Sequence, residues 1–136
     1  MATNEQKLRG SLVAIVVIHF LVVIWHGASH INVPVPLSPA QTAFITIVIV
    51  VLPLIGAALL WTSRMTLAAW LIALSMFASL LFGFINHFAR VSPDYVVLLP
   101  ANAWRYSFVI SAALLVVTET IGTVLGVVGT YVWGRS

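Results

Sequence analysis

The chain has 136 residues, of which 62% are hydrophobic and only 7% are charged. Soluble domains typically carry about 25% charged residues, so this composition excludes an ordinary soluble domain and indicates an integral membrane protein. The net charge of +3 is spread thinly along the chain, unlike the dense basic surface of a nucleic-acid-binding protein. Because the chain has no cysteine, it can form neither a disulfide nor a thiolate metal site.

Four apolar segments each approach the roughly 20 residues that a helix needs to cross the bilayer core. The first follows Arg9, has no clear cleavage site and is long enough to span, so we interpret it as a retained helix rather than a signal peptide. The sequence therefore predicts an all-α integral membrane protein with one domain, a four-transmembrane-helix bundle embedded in the lipid bilayer. The predicted helices cover about residues 10–31, 39–62, 66–89 and 104–133.

Basic residues are distributed unevenly between the two ends of the predicted bundle. One end holds Lys7, Arg9, Arg64 and Arg135, and the other holds Arg90 and Arg105. Cytoplasmic loops of membrane proteins carry an excess of Lys and Arg. This pattern predicts that both termini are cytoplasmic, and the location that we expect is a plasma membrane of bacterial type.

Three of the four histidines lie in the first predicted helix, at His19, His26 and His30. At about 100° per residue, His26 lies about 20° behind His19 and His30 about 20° ahead of it. The three imidazoles thus form one narrow stripe on a helix that is otherwise apolar. Polar side chains in such a segment tend to face the protein interior, a water-filled cavity or an ion.

A histidine cluster is predicted near the outer ends of the helices. His26 and His30 lie in the last turns of the first helix, His87 in the last turns of the third, and Asp94 just beyond it. Three imidazoles with a carboxylate suit Zn²⁺, Cu²⁺ or Fe²⁺, with Ser29 and Asn86 as candidate outer-sphere groups. Two alternatives stay open: a single haem b between two of the histidines, or solvated histidines at the membrane interface.

A second polar pair is predicted closer to the middle of the membrane. From a rise of about 1.5 Å per residue, His19 on the first helix and Glu119 on the fourth lie at similar depths. A carboxylate in lipid must be neutralised or find a partner. We therefore predict a contact between His19 and Glu119, either as a structural clamp or as a proton-handling or ligand-binding pair.

The fourth helix contains a G-x-x-x-G pattern at Gly122 and Gly126. Small residues at this spacing permit close contact between helices. The pattern predicts packing within the bundle, and the alternative is a face for a homo-oligomer or for a larger membrane complex.

Three functions are compatible with these residues. The leading hypothesis is a membrane protein that binds a transition metal, or one haem, for redox chemistry or metal handling. The second is an accessory or assembly subunit of a larger membrane complex without chemistry of its own. The third is a protein that binds a lipid or quinone-type ligand through His19 and Glu119. The sequence leaves open whether the protein is an enzyme.

Overall fold

The computed structural model describes residues 3–135, and within them the regular structure is entirely helical. Four helices are long and apolar enough to cross a membrane, which supports an integral membrane location. In chain order they are α1 (Asn4–Asn32), α2 (Pro39–Leu59), α3 (Met65–Ala89) and α4 (Arg105–Trp133).

The four helices run alternately up and down, so that the two ends of the bundle differ. At one end, here called the terminal end, the Thr66 hydroxyl donates to the Trp133 carbonyl over 2.9 Å. At the same end the Arg9 guanidinium lies 4.6 Å from the centre of the Trp61 ring. The opposite end, here called the loop end, carries the connections between α1 and α2 and between α3 and α4.

Helix α1 begins at Asn4, before the predicted start at Gly10, because its first turn is capped by side chains. The Thr3 hydroxyl accepts from the Gln6 amide over 3.2 Å, and the Gln6 side chain accepts from the Thr3 amide over 2.9 Å. This reciprocal capping satisfies amides that a helix start leaves without partners. The polar residues ahead of the apolar segment therefore continue the same helix.

Helix α2 is irregular in its middle, where residues Ile45–Val51 form a π-helix. Pro53 lies two residues after this segment and has no amide hydrogen, so the Ile49 carbonyl lacks the donor that an α-helix would supply four residues later. Pro53 and Gly56 are residue types that interrupt helices, and the structure has a π segment just before them. π-helices are rare in proteins, and those that occur are frequently found at functional sites.

The bundle is closed at the terminal end by an apolar core shared by all four helices. A Cβ added at Gly126 on α4 would lie 2.7 Å from the Ala73 amide nitrogen on α3, so that glycine permits direct backbone contact between the two helices. One at Gly122 would lie 3.1 Å from Cγ of Met76. Both glycines thus pack within the chain. The buried core residues are Leu12, Val16, Leu60, Ala68, Ala69, Ile72, Met76 and Trp133.

The bundle is open on one side towards the loop end. Helix α1 packs along α4, and α2 packs along α3, whereas the contacts between α1 and α2 concentrate on Leu52–Leu59, the half of α2 nearest the terminal end. The outer halves of α1 and α2 therefore leave space between them. His26 and His30 of α1 lie beside this space.

Candidate metal centre

Three histidines from two helices meet at the loop end. His26 and His30 lie one turn apart on α1, and His87 lies in the π segment Ile85–Ala89 that ends α3. Each imidazole offers one nitrogen such that the three atoms lie within 4.8 Å of one another. All three side chains are buried. The sequence prediction that His26, His30 and His87 share one level is thus reproduced in the geometry.

Phe108 on α4 forms the wall of the cluster opposite its open side. Its ring centre lies 4.6 Å from that of His26, 4.7 Å from that of His30 and 5.3 Å from that of His87. The two loops cover this end through buried apolar residues that pack with Phe108. These covering residues are Val33, Val35 and Leu99.

The orientation of His87 is fixed by Asp94 in the loop after α3. The Asp94 carboxylate oxygen Oδ2 lies 3.3 Å from Nδ1 of His87, and the Asp94 backbone carbonyl lies 3.2 Å from the same nitrogen. Since both partners are acceptors, Nδ1 carries the proton and Nε2 is left with a free lone pair. Asp94, predicted as a candidate ligand, acts here on the far nitrogen of His87, in the way that carboxylates commonly orient metal-binding histidines.

The orientation of His26 is fixed by Ser111 on α4. The Ser111 hydroxyl lies 2.9 Å from Nδ1 of His26. It also lies 2.7 Å from the carbonyl of Ser107 one turn earlier and 3.0 Å from the carbonyl of Phe108. Because a hydroxyl both donates and accepts, Ser111 pairs with Nδ1 of His26 in either tautomer of the imidazole. In the tautomer with the proton on Nδ1, Nε2 of His26 has a free lone pair.

The Nε2 atoms of the two imidazoles face each other. Nε2 of His26 and Nε2 of His87 are 3.2 Å apart. With the His26 proton on Nε2, this contact is an N–H···N hydrogen bond to His87. With that proton on Nδ1, both Nε2 atoms are acceptors that can bind one cation. The two imidazoles can thus offer a pair of electron-donating nitrogens to one point at the loop end.

The third imidazole is also short of a partner. Nδ1 of His30 is buried and makes no hydrogen bond within residues 3–135. A buried polar atom without a partner carries a desolvation cost of about 1–3 kcal/mol. The His30 ring lies edge-on to His26, with ring centres 4.8 Å apart. An ion at the cluster would give this side chain a partner as well.

The predicted contact between His19 and Glu119 is not formed, and this part of the sequence prediction is corrected. Both residues are buried, but no hydrogen bond or ion pair joins them in the described part of the chain. His19 donates from Nε2 to the Ile49 carbonyl over 3.3 Å, the carbonyl that Pro53 leaves without its helical donor. Thr118 is the α4 residue that faces His19. Glu119 is the next residue of the helix, so its side chain points about 100° away from that of Thr118. Its carboxylate instead accepts from the Ser79 hydroxyl of α3.

The two predicted outer-sphere residues bond elsewhere. The Ser29 hydroxyl donates to the Trp25 carbonyl and pairs with the Ser107 hydroxyl, and the Asn86 amide donates to the Phe82 carbonyl. Ser29 and Asn86 each adjoin a histidine in the sequence, but adjacent residues on a helix point in different directions. The partner that the sequence analysis missed is Ser111, and its only signal was a polar residue one turn after Ser107 on α4.

Comparison with protein-family models, with curated proteins and with solved structures found no match to this chain.

Proposed function

We propose that this chain is an integral membrane protein that binds one transition-metal ion through His26, His30 and His87. The observation that supports the proposal most strongly is the facing pair of Nε2 atoms, which are 3.2 Å apart. Asp94 makes Nε2 of His87 an acceptor, and Ser111 can accept from Nδ1 of His26, which leaves Nε2 of His26 free to accept as well. In the tautomer of His26 with its proton on Nδ1, both Nε2 lone pairs point at one site, where a metal ion would bind.

The distances agree with those of a metal bound by imidazoles. Metal–nitrogen bonds of about 2.0–2.1 Å in a tetrahedral site put the ligand nitrogens about 3.3 Å from one another. The His26–His87 separation of 3.2 Å is close to this value. The third ligand atom, from His30, lies within 4.8 Å of the others, so a small side-chain movement would complete the site.

The ligand set favours a borderline metal such as Zn²⁺, Cu²⁺ or Fe²⁺. Imidazole suits these ions, and the chain offers no thiolate. The Asp94 carboxylate adds negative charge beside His87 and offsets part of the charge of a bound cation. Three protein ligands leave one coordination position free, as in zinc sites that bind a water or a substrate. With Cu or Fe the site would serve redox chemistry, and with Zn it would serve metal handling or Lewis-acid chemistry.

The same geometry argues against a haem b held between His26 and His87. Two axial histidines lie on opposite faces of the porphyrin, so their nitrogens are separated by about twice a metal–nitrogen bond, roughly 4 Å. The Nε2 atoms of His26 and His87 are 3.2 Å apart, with Phe108 packed against both rings. No space for a macrocycle exists between these two imidazoles.

We further propose that the cluster lies near the outer face of the membrane and that both termini are cytoplasmic. The excess of basic residues at the terminal end supports this orientation. Two of these residues lie against aromatic rings at that end, Arg9 over Trp61 and Arg135 over Tyr131. A metal would then reach the site from the outer side.

The test is elemental analysis with a visible absorption spectrum, on protein purified in detergent without chelator. Near-stoichiometric Zn, Cu or Fe is expected in the wild type and in His19→Gln, a matched change to the histidine outside the cluster. His26→Ala and His87→Ala are expected to lose the metal. A Soret band would show that the protein binds haem rather than a bare metal ion. Wild-type protein free of metal would favour the accessory-subunit hypothesis.

A further inference from the structure

A cavity of about 400 Å³ extends from the histidine cluster into the middle of the bundle. It lies between the outer halves of α1 and α2, with α3 and α4 behind it. Side chains from all four helices line it, and Val35 and Leu37 of the first loop close its top. The volume is more than twice the roughly 150 Å³ of an apolar protein cavity that holds benzene.

The walls of the cavity are mainly apolar, and no Lys or Arg of the described residues lines them. An acidic ligand would therefore find no cationic partner inside it, and a charged ligand of either sign would lose its hydration. These walls favour an uncharged, lipid-soluble occupant. The principal apolar residues are Val23, Ile31, Ile45, Ile49, Phe82 and Leu115.

The deep end of the cavity carries a carboxyl group with one unused oxygen. Glu119 lines the cavity, is 2% exposed and holds the Ser79 hydroxyl with Oε1. Its other oxygen, Oε2, is buried and has no hydrogen-bond partner within residues 3–135. Glu119 lies eight residues along α4 from Ser111, about 12 Å below the level of the cluster. The carboxyl group is therefore separate from the metal site.

We propose that this cavity binds an uncharged, lipid-soluble molecule bearing a hydroxyl group, of the phenol class, whose hydroxyl pairs with Oε2 of Glu119. A hydroxyl both donates and accepts, so it matches the carboxyl group in its ionised or its neutral form. The aromatic body would fill the apolar part of the cavity. This proposal goes beyond the metal site and does not depend on it.

The route of access follows from the packing of α1 and α2. Their contacts concentrate on Leu52–Leu59, so the cavity faces the space between the outer halves of these helices, at the depth of the lipid. Gly27 of α1 lies on this wall, and a Cβ added there would meet no atom within 4 Å. A larger residue at position 27 would therefore extend into the cavity without distorting the helix.

The test uses durenol (tetramethylphenol) and durene, the same ring without a hydroxyl, as probes for equilibrium dialysis with protein in lipid nanodiscs. Saturable binding of durenol, at least tenfold tighter than that of durene, is expected. Gly27→Leu should weaken durenol binding at least tenfold. Gly10→Leu is the matched control, since Gly10 also lies on α1 with open space around its Cβ but does not line the cavity.

Glu119 is tested by two further variants. Glu119→Gln keeps a group that donates and accepts and should retain durenol binding within a few fold, whereas Glu119→Leu should bind durenol no better than durene. Equal binding of durenol and durene to the wild type, or unchanged durenol binding in Gly27→Leu, would overturn the proposal. Metal content is measured on the same samples, so loss of the metal site is distinguished from loss of the cavity ligand.

Discussion

Nε2 of His26 faces Nε2 of His87 across 3.2 Å, although the two residues come from different helices and 61 positions apart in sequence. Nδ1 of His26 pairs with the Ser111 hydroxyl on α4. Nδ1 of His87 pairs with Asp94 in the loop after α3. Three helices and one loop thus hold the two imidazoles with their Nε2 atoms in position to bind one metal ion. The metal proposal rests on this relationship.

Asp94→Asn should weaken metal binding about tenfold, at the lower end of the range of about 10–100-fold for partners of metal-binding histidines. The change removes the charge that faces Nδ1 of His87, while the Asp94 backbone carbonyl still accepts from it. The measurement is competition for Zn²⁺ against a chelator of known affinity. Glu5→Gln, which removes a carboxylate from the first turn of α1, is the control and should leave the affinity unchanged. An affinity equal to wild type in Asp94→Asn would show that the carboxylate does not act on the site.

Substitutions of His19 and Pro53 should have non-additive effects on the free energy of unfolding, although the two residues do not form a bond with each other. His19→Leu leaves the Ile49 carbonyl without the imidazole donor and is expected to cost about 1–3 kcal/mol. Pro53→Ala restores an amide that can serve the same carbonyl. In the Pro53→Ala background, His19→Leu should therefore cost less, and a double-mutant cycle of unfolding in mixed micelles measures the difference. Equal costs in both backgrounds would contradict the role assigned to His19.

The four-helix architecture could be predicted because the bilayer sets the length of each apolar segment. The shared level of His26, His30 and His87 could be predicted for a related reason: helical rise converts position in sequence into depth. Depth alone could not predict which way each side chain points. His19 and Glu119 share a depth but face α2 and α3, respectively.

The hydrogen bonds around the cluster depend on contacts between helices that periodicity does not encode. Ser111 reaches His26 from a helix that is 85 positions away in sequence. The partner of His19 is a backbone carbonyl freed by Pro53, so the signal is a missing amide rather than a polar side chain. A prediction that pairs only side chains cannot find such a contact.

Gly126→Ala should destabilise the bundle by about 1–3 kcal/mol, as expected for overpacking. The added Cβ would lie 2.7 Å from the Ala73 amide nitrogen, so α3 and α4 would have to separate. Gly10→Ala adds the same methyl group where no atom lies within 4 Å, and the better helix propensity of Ala should stabilise it by up to about 1 kcal/mol. Unfolding in mixed micelles measures both variants. A neutral Gly126→Ala would show that α4 does not pack this closely on α3.

The proposed orientation predicts opposite labelling of two introduced cysteines. The natural chain has none, so single variants need no other change. Ser63→Cys at the terminal end should be protected from a membrane-impermeant maleimide in intact cells, whereas Val97→Cys, at a position 61% exposed at the loop end, should react. The reverse pattern would place the histidine cluster at the cytoplasmic face.

The most direct test of the metal centre is titration of chelator-treated protein with Co²⁺, followed by visible spectroscopy. Because Co²⁺ reports its coordination through d–d absorption, binding by the three imidazoles with one open position should give intense visible bands that saturate near one ion per chain. The bands should be lost in His87→Ala and kept in His19→Gln. Wild-type protein that gives only the weak spectrum of aqueous Co²⁺, or bands that survive in His87→Ala, would contradict a metal site formed by His26, His30 and His87.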